Sequence, residues 1–160
     1  DNYYFHVVAG AYHSDLNELA SLEKEITNSR LYHNVKDMAA LMAVCDIAVT
    51  AAGTILYECC AMGLPTIFFV MAQNQEKDAL AFAKDDVMLY AGDIRKEWGQ
   101  TVRRVLEYLR LLAGDEDRRL QMSAHMKKIV DGKGAKRIAS LFQRTFEIGS
   151  FYEEEFDRGG

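Results

Sequence analysis

Residues 45–75 read CDIAVTAAGTILYECCAMGLPTIFFVMAQNQ, and this stretch decides the fold. Ile47–Thr50 is an apolar run too short for anything but a strand, and Ala51-Ala52-Gly53 turns it into a helix over Thr54–Met62. Gly63 stops that helix, and Thr66–Val70 is a second strand apolar throughout, as expected of one buried on both faces. Strand, helix and strand in this order form a parallel unit.

Outward from this unit the alternation continues. Upstream, Phe5–Ala9 reads as a strand, Asp15–Ile26 as a helix with Leu16, Leu19, Leu22 and Ile26 in helical spacing, and Arg30–Val35 as a short strand. Asp37 can cap a helix over Met38–Val44. Downstream, Gln75–Ala83 is helical and Val87–Tyr90 is a strand ended by Gly92-Asp93. Helices alone follow, over Glu97–Leu112, Asp115–Val130 and Ala135–Phe146, the first with Trp98, Val102, Val105, Leu106, Leu109 and Leu112 on one stripe. The expected fold is α/β, a Rossmann-like parallel sheet flanked by helices and followed by C-terminal helices. One α/β domain is expected over residues 1–148, with residues 149–160 as an acidic, mobile tail.

The bulk numbers narrow the function classes. A chain of 160 residues, 49% apolar and 27% charged, can bury one core. A net charge of −5 offers no basic field for a phosphate backbone, so nucleic acid is not expected as a partner. No apolar run nears the roughly 20 residues of a spanning helix, so no membrane insertion is expected. Cys45, Cys59 and Cys60 sit in apolar segments with neither disulfide nor metal-ligand spacing. Buried thiols and a cytoplasmic location fit better. Nothing here requires a metal or another cofactor.

The central stretch also carries chemistry. In an open parallel sheet, ligands gather where strands end and helices begin. Gly53 lets a ligand approach the backbone N–H groups of the following helix, whose partial positive charge suits a phosphate, and Thr54 adds a hydroxyl there. Glu58, one turn on, can accept hydrogen bonds from paired sugar hydroxyls. Asn74 and Gln75 end the next strand at the same edge, with amides able to donate and accept. Glu58 on a merely solvated face, and Asn74-Gln75 amides capping the next helix, are the alternatives.

These residues resemble the nucleotide-binding C-terminal half of GT-B-fold nucleotide-sugar enzymes, in which a strand and glycine lead into T-x-x-x-E, then G-x-P and a strand closing in N-Q. The match is carried by Asp46, Gly53, Thr54, Glu58, Gly63, Pro65, Asn74 and Gln75. Within that fold the chain looks most like the UDP-sugar hydrolase of pseudaminic acid biosynthesis and the related spore coat polysaccharide biosynthesis proteins, supported by HNVKDMAALM before the core motif and VDGKGAKRI after it. The resemblance implies a UDP-sugar substrate: ribose on Glu58, diphosphate against Gly53 and Thr54, uracil beside the Asn34-Val35 turn and Met38, and sugar facing Asn74 and Gln75. It implies release of UDP from an amino-sugar nucleotide by water, in surface polysaccharide or nonulosonate biosynthesis. The alternatives are a glycosyltransferase acting on a lipid or saccharide acceptor, and a non-catalytic nucleotide-binding module.

Two family features have no counterpart here: a GGxD-type loop after the first strand, and an N-terminal half with a water-activating histidine. His6, His13, His33 and His125 do not match that histidine. The chain is therefore expected to be part of a longer protein, with its catalytic groups in a preceding N-terminal domain.

Overall fold

A computed structural model describes residues 3–10, 16–84 and 87–156. It divides into two compact units, Asp1–Leu41 and Met42–Gly160, each considered by itself.

In the first unit, β1 (Phe5–Ala9) and β2 (Ser29–His33) pair in parallel through the crossover helix α1 (Leu16–Glu25). The register runs from Phe5 opposite Ser29 to Ala9 opposite His33. Asn28 fixes the entry, its backbone carbonyl accepting from Phe5 N–H at 2.9 Å and its side chain donating to the Tyr3 carbonyl at 2.7 Å. The strand expected to reach Val35 ends at His33, because Asn34 turns to φ 52°, a left-handed conformation that asparagine tolerates better than most residues. Asp37 caps α2 (Met38–Met42), with Oδ1 accepting from Ala40 N–H at 2.9 Å. The expected start of α1 at Asp15 lies outside the described residues.

The second unit is built on a parallel three-stranded sheet in the order β3 (Ala48–Ala51), β4 (Thr66–Val70), β5 (Leu89–Asp93). The central strand β4 is buried almost along its whole length, which is why every residue in it is apolar or, like Thr66, hydrogen-bonded at its hydroxyl to the Leu64 carbonyl. Helix α3 (Ile55–Met62) joins β3 to β4 and buries Leu56, Cys59 and Cys60, a Leu56-sized side chain being worth about 1.5–3 kcal/mol. A short 3₁₀ turn (Gln73–Gln75) and α4 (Glu76–Lys84) join β4 to β5. Three helices follow: α5 (Trp98–Gly114), α6 (Glu116–Ile129) and α7 (Gly134–Phe156).

Three expectations shift. The strand expected at Val87–Tyr90 runs Leu89–Asp93, taking in Gly92 and Asp93 rather than ending at them. An irregularity in the register makes this possible: Phe68 pairs with Tyr90 and Phe69 with Gly92, so Ala91 is an extra residue, and Gly92 takes φ 125°. A side chain at Gly92 would come within 2.8 Å of Thr101 Oγ1, so its absence lets α5 lie close against β5. That close approach also sets the buried face of α5. Thr101 and Leu112 are buried, whereas Trp98, Val102 and Leu106, expected on the inner stripe, are exposed. Helix α7 continues past the expected Phe146 to Phe156, so the Glu153–Glu155 acids lie on helical backbone, and residues 157–160 are outside the described residues.

Gly63 is a second glycine the fold requires. It ends α3 at φ 65°, with its own N–H bonded to the Cys60 carbonyl and that of Leu64 to the Cys59 carbonyl, each at 3.0 Å, and this reversal aims the chain into β4. A Cβ here would also meet Lys127 Cε at 2.4 Å and Ser123 Oγ at 2.7 Å on α6. We predict that Gly63→Ala destabilises the protein by about 1–3 kcal/mol, mostly backbone strain. Urea denaturation measures this, and an unchanged midpoint would refute it.

Candidate functional site

Parallel pairing brings the exits of β3, β4 and β5 to one edge of the second unit. Ala51 lies opposite Phe69, Ala52 N–H donates to the Phe69 carbonyl at 2.7 Å, and Ile94 N–H donates to the Val70 carbonyl at 2.9 Å. Gly53-Thr54, the turn carrying Asn74 and Gln75, and Asp93 therefore share that edge.

At the first exit, Thr54 is the N-cap of α3, but its side chain makes no capping bond. Leu56 N–H reaches back to the Gly53 carbonyl at 3.0 Å and Tyr57 N–H to the Thr54 carbonyl at 3.1 Å, closing the first turn tightly. Space at the Gly53 Cα is open, with no atom within 4 Å of where a Cβ would stand. The helix turns its apolar face inward and leaves Thr54 and Glu58 exposed. Glu58 has no hydrogen-bond or ion-pair partner among the described residues, so its carboxylate is available to a ligand. Its neighbour Tyr57 is committed: the ring packs edge-on against Phe82 of α4 and the hydroxyl donates to Asp78 Oδ1 at 3.4 Å.

At the second exit, Asn74 is exposed, while Gln75 has a structural task. Its Oε1 accepts from Met71 N–H at 2.9 Å, bracing the end of β4, and the residue is half-buried. The amide thus does not cap α4.

The third exit holds a cluster that the sequence reading passed over. Asp93, whose side chain is only 10% exposed, takes a two-point contact from Arg95, Nε to Oδ1 at 2.9 Å and Nη2 to Oδ2 at 2.6 Å. Arg95 Nη2 also donates to Glu76 Oε1 at 2.5 Å, and Lys96 approaches Asp93 at 3.3 Å and Glu76 at 3.6 Å. Asp93, Glu76 and Lys96 border a cleft of about 370 Å³ walled by Val70, Ala79, Leu80 and Tyr90. The Arg95 guanidinium holds the Asp93 carboxyl well below the usual carboxylate range. The acid–base alternation of Gly-Asp-Ile-Arg-Lys was the available signal, but its pairing with Glu76, far away in sequence, is a product of the fold.

In the first unit, Val35 and Met38 are half-buried next to the left-handed Asn34, whose N–H donates to the Ala9 carbonyl at 3.3 Å. His6 pairs with the Tyr32 hydroxyl at 2.9 Å, His33 and His125 are exposed, and His13 lies outside the described residues. All three cysteines are thiols; burial raises Cys59 and pushes Cys60 up to about 11. Among the described residues no group of three or more His, Cys, Asp or Glu is arranged to hold a metal ion, and no helix is long and apolar enough to cross a membrane.

Comparison with known proteins gives the family. Residues 2–141 match the glycosyltransferase family 28 C-terminal domain. The chain belongs to that family. It is 27% identical over 120 residues to the spore coat polysaccharide biosynthesis protein SpsG of Bacillus subtilis (strain 168), covering 74% of this chain and 34% of the relative. It is 29% identical over 150 residues to the UDP-N-acetylglucosamine–N-acetylmuramyl-(pentapeptide) pyrophosphoryl-undecaprenol N-acetylglucosamine transferase of Bacillus pumilus (strain SAFR-032), covering 89% of this chain and 40% of the relative. The chain thus spans between a third and two fifths of the length of these relatives. No solved structure gives a significant match. The Rossmann-like α/β expectation holds, as does the likeness to a spore coat protein; neither relative is named a hydrolase.

The Asp93 ion pairs make a pH prediction. Because its folded pKa lies below its unfolded one, Asp93 contributes stability that is fully present above about pH 4 and is lost as pH falls toward the folded value. Thermal melts of the wild type should lose stability more steeply from pH 4 downward than those of Asp93→Asn. Parallel curves for the two proteins would refute the assignment.

Proposed function

We propose that this chain is the nucleotide-sugar-binding half of a glycosyltransferase that moves a sugar from a UDP-sugar to a lipid or saccharide acceptor. The observation that carries the reading is the exposed Glu58, without a partner among the described residues, one turn below the open Gly53-Thr54 helix start, within a chain of the glycosyltransferase family 28 C-terminal domain. Diphosphate against the Gly53-Thr54 turn would meet backbone N–H groups and the positive end of α3. Glu58 would accept from the two ribose hydroxyls, as a carboxylate does without needing a proton of its own.

The reaction is a displacement at the anomeric carbon. The acceptor oxygen forms a bond to that carbon, the bond from carbon to the diphosphate oxygen breaks, and the acceptor hydroxyl gives up its proton to a base. UDP leaves carrying the electron pair, and the charge that grows on its diphosphate is what the helix start stabilises. Asn74 and Gln75 would hold the sugar hydroxyls. No residue of this domain is proposed as the base.

Transfer to an acceptor fits better than the hydrolysis expected from the sequence. The family is one of glycosyltransferases, and the relative matched over 89% of this chain is named a transferase whose donor is UDP-N-acetylglucosamine. That makes UDP-N-acetylglucosamine the donor to test first, and the SpsG likeness is consistent with a product in surface polysaccharide.

Calorimetric titration of the full-length protein with UDP, and with ADP as control, tests the site. UDP should bind and ADP should bind much more weakly. Glu58→Ala should weaken UDP by about 1–3 kcal/mol, and Glu58→Gln by less. UDP affinity unchanged in Glu58→Ala would remove Glu58 from the site.

A further inference from the structure

The segment carrying Asn74 and Gln75 is held from both sides. On the strand side, Gln75 Oε1 accepts from Met71 N–H at 2.9 Å and closes the turn on itself. On the helix side, Glu76, the residue next to Gln75 and the first of α4, is gripped by Arg95. Arg95 is in turn anchored to Asp93 by two side-chain bonds at 2.9 and 2.6 Å, and its own N–H donates to Asp93 Oδ1 at 3.0 Å. Asp93 is in β5 opposite Val70, so the grip ends in the sheet itself.

We infer that Arg95 is a positioning residue for the sugar-binding turn, acting through Glu76 to set where Asn74 presents its amide to the donor sugar. The inference rests on the proposed placement of the sugar at Asn74. Stability accounts for the shielded Asp93 end of the cluster but not for its reach to Glu76, because Arg95 and Glu76 are about a third or more exposed and an ion pair of that kind adds little. Direction is what the cluster supplies. A guanidinium meeting one carboxylate at two points fixes angle as well as distance, and the third contact passes that constraint to the start of α4. A lysine ammonium would keep the charge and lose the angle.

The test uses the full-length protein titrated with UDP-N-acetylglucosamine and, separately, with UDP. Asn74→Ala and Arg95→Ala should each weaken UDP-N-acetylglucosamine by on the order of tenfold, since small displacements of a positioning group carry penalties of that size. UDP affinity should stay within about twofold, because UDP lacks the sugar. The double variant should be no more than about twofold weaker than Asn74→Ala, the mark of two residues acting through one contact. Arg95→Lys should behave like Arg95→Ala. Glu76→Gln serves as the second variant if Arg95→Ala does not fold, and should lose sugar affinity selectively.

The outcomes separate two failures. If Asn74→Ala leaves UDP-N-acetylglucosamine affinity unchanged, the sugar is not at this turn, and both the placement and the inference fall. If Asn74→Ala weakens binding but Arg95→Ala does not, or the two effects multiply, or Lys restores affinity, the placement stands and the positioning role is refuted. Equal loss of UDP and UDP-N-acetylglucosamine in Arg95→Ala refutes it as well.

Discussion

The parallel register of β3, β4 and β5 is the constraint on which the second unit depends. Once Ala51 is opposite Phe69 and Asp93 opposite Val70, the three strand exits must open on the same edge, and every residue of the candidate site in this unit sits on one of them. The register is in turn enforced by packing: β4 lies between two strands with Ile67 and Phe68 fully buried on its two opposite faces, and a slip of one residue would exchange side chains of different size and shape between those faces. Gly63 and the extra residue Ala91 adjust chain direction around this core so that α3 and α5 can close on it.

Within the edge, the three exits divide the chemistry. The β3 exit leaves its polar side chains uncommitted, with open space at Gly53 and a Glu58 carboxylate that has no ion-pair partner among the described residues. The β5 exit is the reverse, with Asp93, Arg95, Glu76 and Lys96 satisfying one another. The β4 exit lies between them, one of its two amides engaged and the other exposed. A binding edge needs both kinds of group, because uncommitted groups meet the ligand and committed ones keep the geometry from relaxing around it.

Much of this was legible in the sequence because it is local. The apolar run Thr66–Val70, the stop at Gly63 and the cap at Asp37 each depend on a few adjacent residues, and the structure has them in place. The Gly53, Thr54 and Glu58 spacing within a strand-to-helix turn is local too. What sequence periodicity could not supply was which side of α5 faces inward: six apolar residues fit one broad stripe, and the choice was made by Gly92, whose missing side chain admits Thr101 and leaves Trp98 outside. Gly92-Asp93 looked like a strand terminator for a similar reason, since the irregularity that keeps both in β5 exists only in its pairing with β4. The Arg95 cluster joins residues separated by a whole helix and strand, and no spacing rule reaches that far.

The two adjacent thiols on the inner face of α3 have a consequence for how the candidate site can be watched. Cys59 and Cys60 are almost completely shielded, and burial keeps both protonated at neutral pH. A thiol reagent reaches them only when α3 parts from the elements packed on it, so the slow phase of their alkylation is a clock for the opening of the helix whose first turn carries Thr54 and Glu58. Any ligand that seats on that turn in the closed protein alone must slow the clock in proportion to its occupancy. The protein thus carries, in its own core, an unlabelled sensor of what happens at its surface.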